Sequence, residues 1–281
     1  MPYVSRHIDW VSISFPTEMD YNAVFPTFDW RYIGSGMHGF QFKYQERSSG
    51  AIWQCSERPR GMVNHATLSG DTLAILRQDR GLQDHGLVQR LLHCGGVASR
   101  IDLTINVHEG RLTPRAIQRA VKTGSAKPRS AVSRFIEGKN GGIEGDTLYL
   151  GSPSSDRQLR VYNKAAELGI VDGSAWLRLE LELRRLRADG ALHAVATNGI
   201  DAAVSGHMGD FLEWGDLEYQ QALGSESVPP VDIPRRDSNR RRWLLGQVSI
   251  ALAKELALDP DFRGIFDKSV NAALDNLKTS R

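Results

Sequence analysis

The feature of this sequence that most constrains its fold is the segment Trp176–Arg184, in which apolar and charged side chains alternate. Leucines occupy the odd positions from 177 to 183, while Arg178, Glu180, Glu182 and Arg184 occupy the even positions. Successive side chains of a β-strand point to opposite faces of a sheet. The segment therefore predicts a strand with one face in the core and a charged row on the other face.

Two further segments show the same two-faced pattern. In Arg100–Val107 the apolar residues alternate with polar ones, and Leu159–Asn163 does the same before Lys164. Each strand alone could simply have a solvated polar face, but three of them favour a shared site. If the strands are neighbours, one surface carries a tyrosine, three carboxylates and three cations: Asp102, Arg160, Tyr162, Lys164, Arg178, Glu180 and Glu182.

The rest of the chain predicts more strands and several helices. Asp71 is a candidate N-cap for a helix that extends toward Leu92, and Thr113-Pro114 with Gly124 bound a second helix. A glycine-rich turn is expected at 139–142. Additional strands are predicted at 11–15, 40–44, 52–55, 63–68, 134–137 and 147–150. The fold class is α+β, with a large, mostly antiparallel sheet and flanking helices.

The prolines in Val228–Pro234 predict the boundary between two parts of the chain. We expect a main domain at 1–227 and a tail at 228–281 that contains a helix from Asn239 to Leu258. Five arginines precede or begin that helix, at positions 235, 236 and 240–242. They could contact DNA or belong to a solvated linker.

A second basic segment, at 110–136, contains no acidic residue. Residues 111, 115, 119 and 122 are spaced to share one helix face. Such a stripe favours nucleic acid as a partner over a solvated face, because solvated faces usually mix charges. The candidate DNA-binding residues are Arg111, Arg115, Arg119, Lys122, Lys127 and Arg129.

Several classes of protein are not indicated. The chain contains no phosphate-binding GxxxxGK[ST] loop, no pair of histidines separated by one residue, and no apolar run long enough to span a membrane. Two cysteines form neither a disulfide framework nor a metal cluster. We expect a cytoplasmic protein.

The carboxylates of the predicted polar surface could bind a divalent cation. Mg²⁺ is held by one or two protein carboxylates and keeps water or phosphate in its other positions. Asp102 with Glu180, or with Glu182, meets this requirement, and ion pairs with neighbouring arginines are the alternative.

Tyr162 is a candidate nucleophile because Arg160 and Lys164 should favour its phenolate. Attack on a phosphate would give a covalent phosphotyrosine. A strand tyrosine that only packs is the alternative interpretation, and the spacing leaves it open.

The chain resembles the replication initiation factor family (Rep_trans type) of rolling-circle plasmids and filamentous phages, which includes relaxases of some integrative conjugative elements. The matching segments occur in family order: HIDWVSISF, HATLSGD, SRIDLTIN, TLYLGSPSSDRQLRVYNKAAE, WLRLELELR and RRRWLLGQVSIALAKEL. The resemblance implies a non-standard relative of the HUH nickase fold.

The resemblance also implies a chemistry for domain 1–227. Tyr162 would attack origin DNA, keep the 5′ end as a phosphotyrosine and leave a free 3′-OH, with later strand transfer or religation. Mg²⁺ or Mn²⁺ would be required, with Asp102 and Glu180 as ligands. The catalytic cations would be Arg160, Lys164 and Arg178. The family often has an acidic residue where this chain has Asn106.

The implied partners are origin DNA, single-stranded or extruded from a supercoil, and the helicase and polymerase of a bacterial host. A homodimer would supply a second tyrosine to end a round of replication. A relaxase with the same chemistry, a DNA-binding regulator without catalysis, and a hydrolytic nuclease are the alternatives.

Overall fold

The computed structural model describes residues 3–15, 20–37, 39–56, 64–108, 112–138, 145–170 and 175–215, with a few positions between 262 and 270. The chain divides into two compact units, Met1–Asp232 and Ile233–Arg281. The fold described below is that of the first unit. The predicted turn at 139–142, Arg111, the linker at 228–234, the five arginines at 235–242 and the helix at 239–258 lie outside the described residues.

Twelve strands are present in the described part of the chain. They are β1 (Tyr3–Phe15), β2 (Trp30–Gly34), β3 (Phe42–Glu46), β4 (Ile52–Cys55), β5 (Asn64–Leu68), β6 (Val97–His108), β7 (Ala126–Pro128), β8 (Ser133–Ile136), β9 (Thr147–Leu150), β10 (Arg157–Asn163), β11 (Trp176–Arg184) and β12 (Leu212–Trp214). Ten of them form one sheet in the order β2-β3-β4-β5-β1-β6-β11-β10-β9-β8. Every neighbouring pair is antiparallel. The predicted α+β class with a large antiparallel sheet is confirmed.

Seven helices accompany the sheet in the described residues. They are α1 (Tyr21–Val24), α2 (Gly70–Gln78), α3 (Asp84–His93), α4 (Pro114–Thr123), α5 (Lys164–Glu167), α6 (Leu186–Asn198) and α7 (Ile200–Phe211). Helix α6 packs on β6 and β11. The leucines of β11 are buried with the alternating apolar residues of β6 and β10, so one face of the sheet forms the core. None of these helices combines the length and apolarity that crossing a membrane requires.

The capping prediction for α4 is confirmed. The Thr113 side chain accepts a hydrogen bond from the backbone N–H of Ala116, Pro114 begins the helix, and Gly124 ends it at φ +80°. The predicted cap at Asp71 is wrong, because Ser69 has the extended conformation of an N-cap and accepts from the N–H of Thr72. Asp71 lies in the first turn instead, where a carboxylate favours the positive end of the helix dipole.

Two predicted boundaries also differ. The helix expected to run toward Leu92 is two helices, α2 and α3, because the chain turns at Gly81 with φ +64°. Strand β1 begins at Tyr3 rather than near residue 11. Its first half lacks simple alternation, and a bulge at Asp9 shifts the register of its pairing with β6.

Glu46 ties the end of β3 to Arg80, just after α2, and offers a test of the fold. Its side chain is 1% exposed and accepts hydrogen bonds from the N–H of Ser49 (2.6 Å), the N–H of Ser48 (3.0 Å) and Arg80 Nη2 (2.9 Å). Burial acts to raise its pKa, but these hydrogen bonds from the two serines and the arginine outweigh burial and lower the pKa to about 2.

We expect Glu46→Gln to reduce the free energy of unfolding by about 1–3 kcal/mol at neutral pH, because charge-assisted hydrogen bonds are lost. The depressed pKa in the folded state means that this contribution is complete above pH 4.5 and is lost as the pH falls toward about 2. Urea unfolding of both proteins at pH 7 and pH 3 measures the difference. An equal difference at the two pH values would contradict the assignment.

Candidate active site

The pairing register places the polar residues of six strands in cross-strand rows on the face opposite the core. Residues directly opposite one another on paired strands share a face of the sheet. We call this surface the polar face. The tyrosine row contains Ile136, Thr147, Tyr162, Arg178, Asn106 and Ser5. The glutamate row contains Arg134, Tyr149, Arg160, Glu180, Thr104 and His7. The aspartate row contains Gln158, Glu182, Asp102 and Trp10.

Tyr162 lies at the centre of this surface and is 5% exposed. Its hydroxyl donates to Glu180 Oε2 at 3.2 Å and accepts from Arg160 Nη2 at 3.3 Å. The same Arg160 nitrogen lies 2.8 Å from Glu180 Oε2, and its guanidinium carbon lies 4.4 Å from the centre of the tyrosine ring. The hydroxyl is therefore held between a hydrogen-bond acceptor and a cation.

This geometry corrects the expectation that nearby cations favour the phenolate. Burial and the negative charge of Glu180 raise the pKa of Tyr162, and together they outweigh the lowering effects of Arg178 and Arg160. Lys164 is paired with Glu167 and lies 5.9 Å from the ring centre. The resting tyrosine is a phenol whose proton already points at a carboxylate.

Arg178 anchors the neighbouring part of the tyrosine row. Its Nε donates to Asn106 Oδ1 at 2.9 Å, and its Nη1 lies 3.3 Å from Asp9 Oδ2. Trp176 Nε1 also donates to Asn106 Oδ1, at 3.0 Å. Asn106 thus serves as an acceptor for two donors. Asn106 occupies the position at which the resemblance would place an acidic residue.

His7 and Asp9 belong to the site although the spacing argument did not single them out. His7 faces Thr104 across β1 and β6, and its Nε2 lies 3.6 Å from Asp9 Oδ1. Although burial opposes it, His7 and Arg178 hold the pKa of Asp9 below its usual value. The bulge at Asp9 turns this side chain toward Arg178. Such a bulge has no sequence signature beyond the broken alternation in HIDW.

Asp102 is 2% exposed, and the carboxylates of Glu180 and Glu182 lie near it. Arg100 donates to both of its oxygens, at 2.9 and 2.6 Å, and also lies 3.3 Å from Glu182 Oε2. Burial first, and then the charges of Glu180 and Glu182, raise the pKa of Asp102 to about 7 despite Arg100. A further cation at this position would relieve that imbalance.

The chemistry of the donors fits a divalent cation. Asp102 and Glu182 are direct cross-strand partners, while Glu180 lies one row away. Between Glu180 and His7, the hydroxyl of the fully buried Thr104 has no hydrogen-bond partner in the described structure. Within the described ranges, no group of three or more His, Cys, Asp or Glu side chains is arranged as a metal site. A cation here would therefore take most of its ligands from water and phosphate.

The predicted basic stripe lies on the other side of the sheet. Helix α4 buries Ile117 in the core, and Arg115 lies over the ring of Phe135, which pairs with the core residue Leu148. Arg115 is neutralised by Asp146, with Nε and Oδ2 2.5 Å apart, and Arg129 lies 3.4 Å from Asp210. The remaining predicted side chains are exposed: Arg119, Lys122 and Lys127.

The first unit thus combines a large antiparallel sheet with flanking helices, which is an α+β fold. A solved structure of a rolling-circle replication initiator protein from Geobacillus stearothermophilus matches with a TM-score of 0.67 at 18% identity. The match covers 81% of this chain and 99% of that chain. At this identity it shows that the fold is shared.

The sequence also matches a family model. Residues 96–205 match the model of the Rep_trans family, described as replication initiation factors. The matched region contains β6, β10 and β11, and so it includes Tyr162 and the three carboxylates. The resemblance is confirmed over this region, which holds the motifs SRIDLTIN, TLYLGSPSSDRQLRVYNKAAE and WLRLELELR. No curated protein sequence gave a significant match.

We expect Arg178→Ala to lower the free energy of unfolding by about 2–4 kcal/mol, because it leaves Asp9 and Asn106 without their buried partner. Arg134→Ala, on the same face but exposed, should cost less than about 1 kcal/mol. Urea unfolding followed by circular dichroism compares the two. Similar small losses in both variants would show that the Arg178 contacts contribute little to folding.

Proposed function

We propose that this protein initiates rolling-circle replication by nicking origin DNA with Tyr162. The observation that carries the proposal is the position of the Tyr162 hydroxyl between Glu180 Oε2 and Arg160 Nη2. It lies on the polar face of the sheet, within the region that matches the replication initiation factors. A buried tyrosine hydroxyl needs a hydrogen-bond partner in any case, so the support for catalysis is that both partners are charged: a carboxylate that can take the proton and a guanidinium beside the oxygen.

In the proposed reaction, the Tyr162 oxygen attacks the scissile phosphate as its proton passes to Glu180. The new bond joins the tyrosine oxygen to phosphorus, and the bond from phosphorus to the 3′ oxygen breaks. That oxygen takes a proton from solvent and becomes the free 3′-OH. The 5′ end stays attached as a phosphotyrosine, and the reverse reaction religates the strand.

The raised pKa of Tyr162 makes this proton transfer part of the attack. A buried phenol is not ionised at neutral pH, so an acceptor in hydrogen-bond contact is needed as it bonds to phosphorus. Glu180 meets that distance requirement. Arg160, together with Arg178 and Lys164 nearby, would stabilise the charge that develops on the phosphate oxygens.

We further propose that the protein uses Mg²⁺ or Mn²⁺. Asp102 and Glu182 would hold the cation, which would polarise the scissile phosphate. The resemblance names Glu180 as the second ligand. Its contacts with Tyr162 and Arg160 favour Glu182 for that role and Glu180 for proton transfer.

Partners follow from the same chemistry. The exposed cations of α4 and the segment after it (Arg119, Lys122 and Lys127) would contact the phosphates of origin DNA, whether single-stranded or extruded. A host polymerase would extend the 3′-OH behind a host helicase. The catalytic unit would be residues 1–227, and a second subunit would supply the tyrosine that ends a round.

Single-stranded DNA from the parent replicon, labelled at its 3′ end, tests the nucleophile directly. With Mg²⁺ or Mn²⁺, we expect label to migrate with the protein on a denaturing gel. Tyr162→Phe and EDTA should each abolish the labelled band, whereas the exposed Tyr32→Phe should retain it. Cleavage without attached label would indicate a hydrolytic nuclease, and binding without cleavage would indicate a regulator.

The two glutamates are separated by titrating the metal. Glu182→Gln should raise the Mg²⁺ concentration needed for half-maximal cleavage roughly tenfold or more, since a ligand is lost. Glu180→Gln should lower the cleavage rate at saturating Mg²⁺ by about 10²–10⁴-fold, since the proton acceptor is lost. If Glu180→Gln instead raises the Mg²⁺ requirement and Glu182→Gln lowers the rate, Glu180 is the metal ligand, as the resemblance implies.

A further inference from the structure

The charge on the polar face is distributed unevenly on the two sides of Tyr162. Toward β11 and β6, the rows carry Glu180, Glu182 and Asp102, and the arginines on that side are paired with these and other carboxylates. Toward β9 and β8, the glutamate row continues through Tyr149 to Arg134, and neither of these two strands contains a carboxylate. A DNA strand carries one charge per phosphate, so the β9 and β8 side is the favourable approach, because Arg134 there has no carboxylate partner in the described residues.

Arg134 and Tyr149 form a stacked pair at this edge of the sheet. The guanidinium carbon of Arg134 lies 4.5 Å from the centre of the Tyr149 ring. Arg134 is exposed, and in the described parts of the chain no carboxylate is paired with it. Its cross-strand partner is Tyr149, whose own partner on the other side is Arg160.

The pair continues the arrangement at the nucleophile. Arg160 lies over the ring of Tyr162 within β10, and Arg134 on β8 lies over the ring of Tyr149 on β9, so the two arginine–tyrosine pairs occupy three neighbouring strands. Diagonal neighbours on a sheet are roughly 7–8 Å apart. Tyr149 is therefore within reach of nucleotides that flank a phosphate bound at Tyr162.

We infer that Arg134 and Tyr149 form a binding subsite for the single-stranded DNA next to the phosphate that Tyr162 attacks. An unpaired base would stack on the platform of ring and guanidinium, and Arg134 with Arg160 would bind the adjoining phosphates. The strand then leaves the nucleophile toward the edge strand β8. Duplex DNA cannot present a base face to this platform, so the subsite selects single strands.

This inference rests on the proposed function, but binding can be measured without cleavage. All variants are made in the Tyr162→Phe background, and affinity is followed by anisotropy of a fluorescein-labelled single-stranded origin oligonucleotide. Tyr149→Leu should weaken binding roughly tenfold or more, while Tyr149→Phe, which keeps the ring, should bind as the parent does. Each variant is first checked for a cooperative unfolding transition.

Arg134→Ala should weaken binding to a similar extent and reduce the salt dependence of the binding constant by about 0.7 for each phosphate that the variant no longer binds. Arg31→Ala and Tyr32→Ala, exposed on the edge strand β2 at the far end of the sheet, serve as matched controls and should change affinity less than about twofold. The same oligonucleotide as a duplex should show no dependence on Tyr149.

Unchanged affinity in Tyr149→Leu and Arg134→Ala, or equal losses for duplex and single strand, would overturn the subsite. Such a result would leave the covalent adduct of Tyr162 intact. Conversely, if the protein that retains Tyr162 forms no adduct while the Tyr149 and Arg134 variants lose single-strand affinity, the subsite is supported and the nicking reaction is refuted. The subsite and the nicking reaction can therefore each be refuted without refuting the other.

Discussion

The pairing of β6 with β11 is the constraint on which the site depends. Leu181 faces Leu103 and Leu179 faces Ile105, and all four side chains are fully buried. Burial of such side chains contributes about 1.5–3 kcal/mol each. A slip of one residue would turn the charged row into the core, so the apolar face fixes the register. The same register determines which side chains are neighbours on the opposite face, where Asp102 lies directly across from Glu182.

Crowding of charges on the polar face follows from this register. Three carboxylates and their arginines share a surface that is largely shielded from water, and the balance differs from one position to the next. Burial leaves Asp102 with a raised pKa despite Arg100, while His7 and Arg178 keep Asp9 ionised. Within this network Tyr162 is held as a phenol. In the proposed reaction, this arrangement would require proton transfer to Glu180 to accompany bond formation.

The sheet also separates two basic surfaces. The exposed cations of α4 lie on the helix side, whereas Arg160 and Arg134 lie on the polar face. The edge strand β8 is the boundary between them. Under the proposed function, DNA at Tyr162 and DNA at α4 would therefore lie on opposite sides of one sheet.

The sequence by itself determined the strands that alternate strictly, the caps of α4, and the polar set on β6, β10 and β11, because periodicity and capping are local properties. Contiguous motifs also carried the family resemblance. Only the tertiary structure decided that Asp9 turns into the site at a bulge, that burial and Glu180 raise the pKa of Tyr162 despite the nearby arginines, and that Tyr149 and Arg134 extend the glutamate row. These depend on which strands become neighbours and in what register, and pairing between distant segments leaves no periodic trace in the chain.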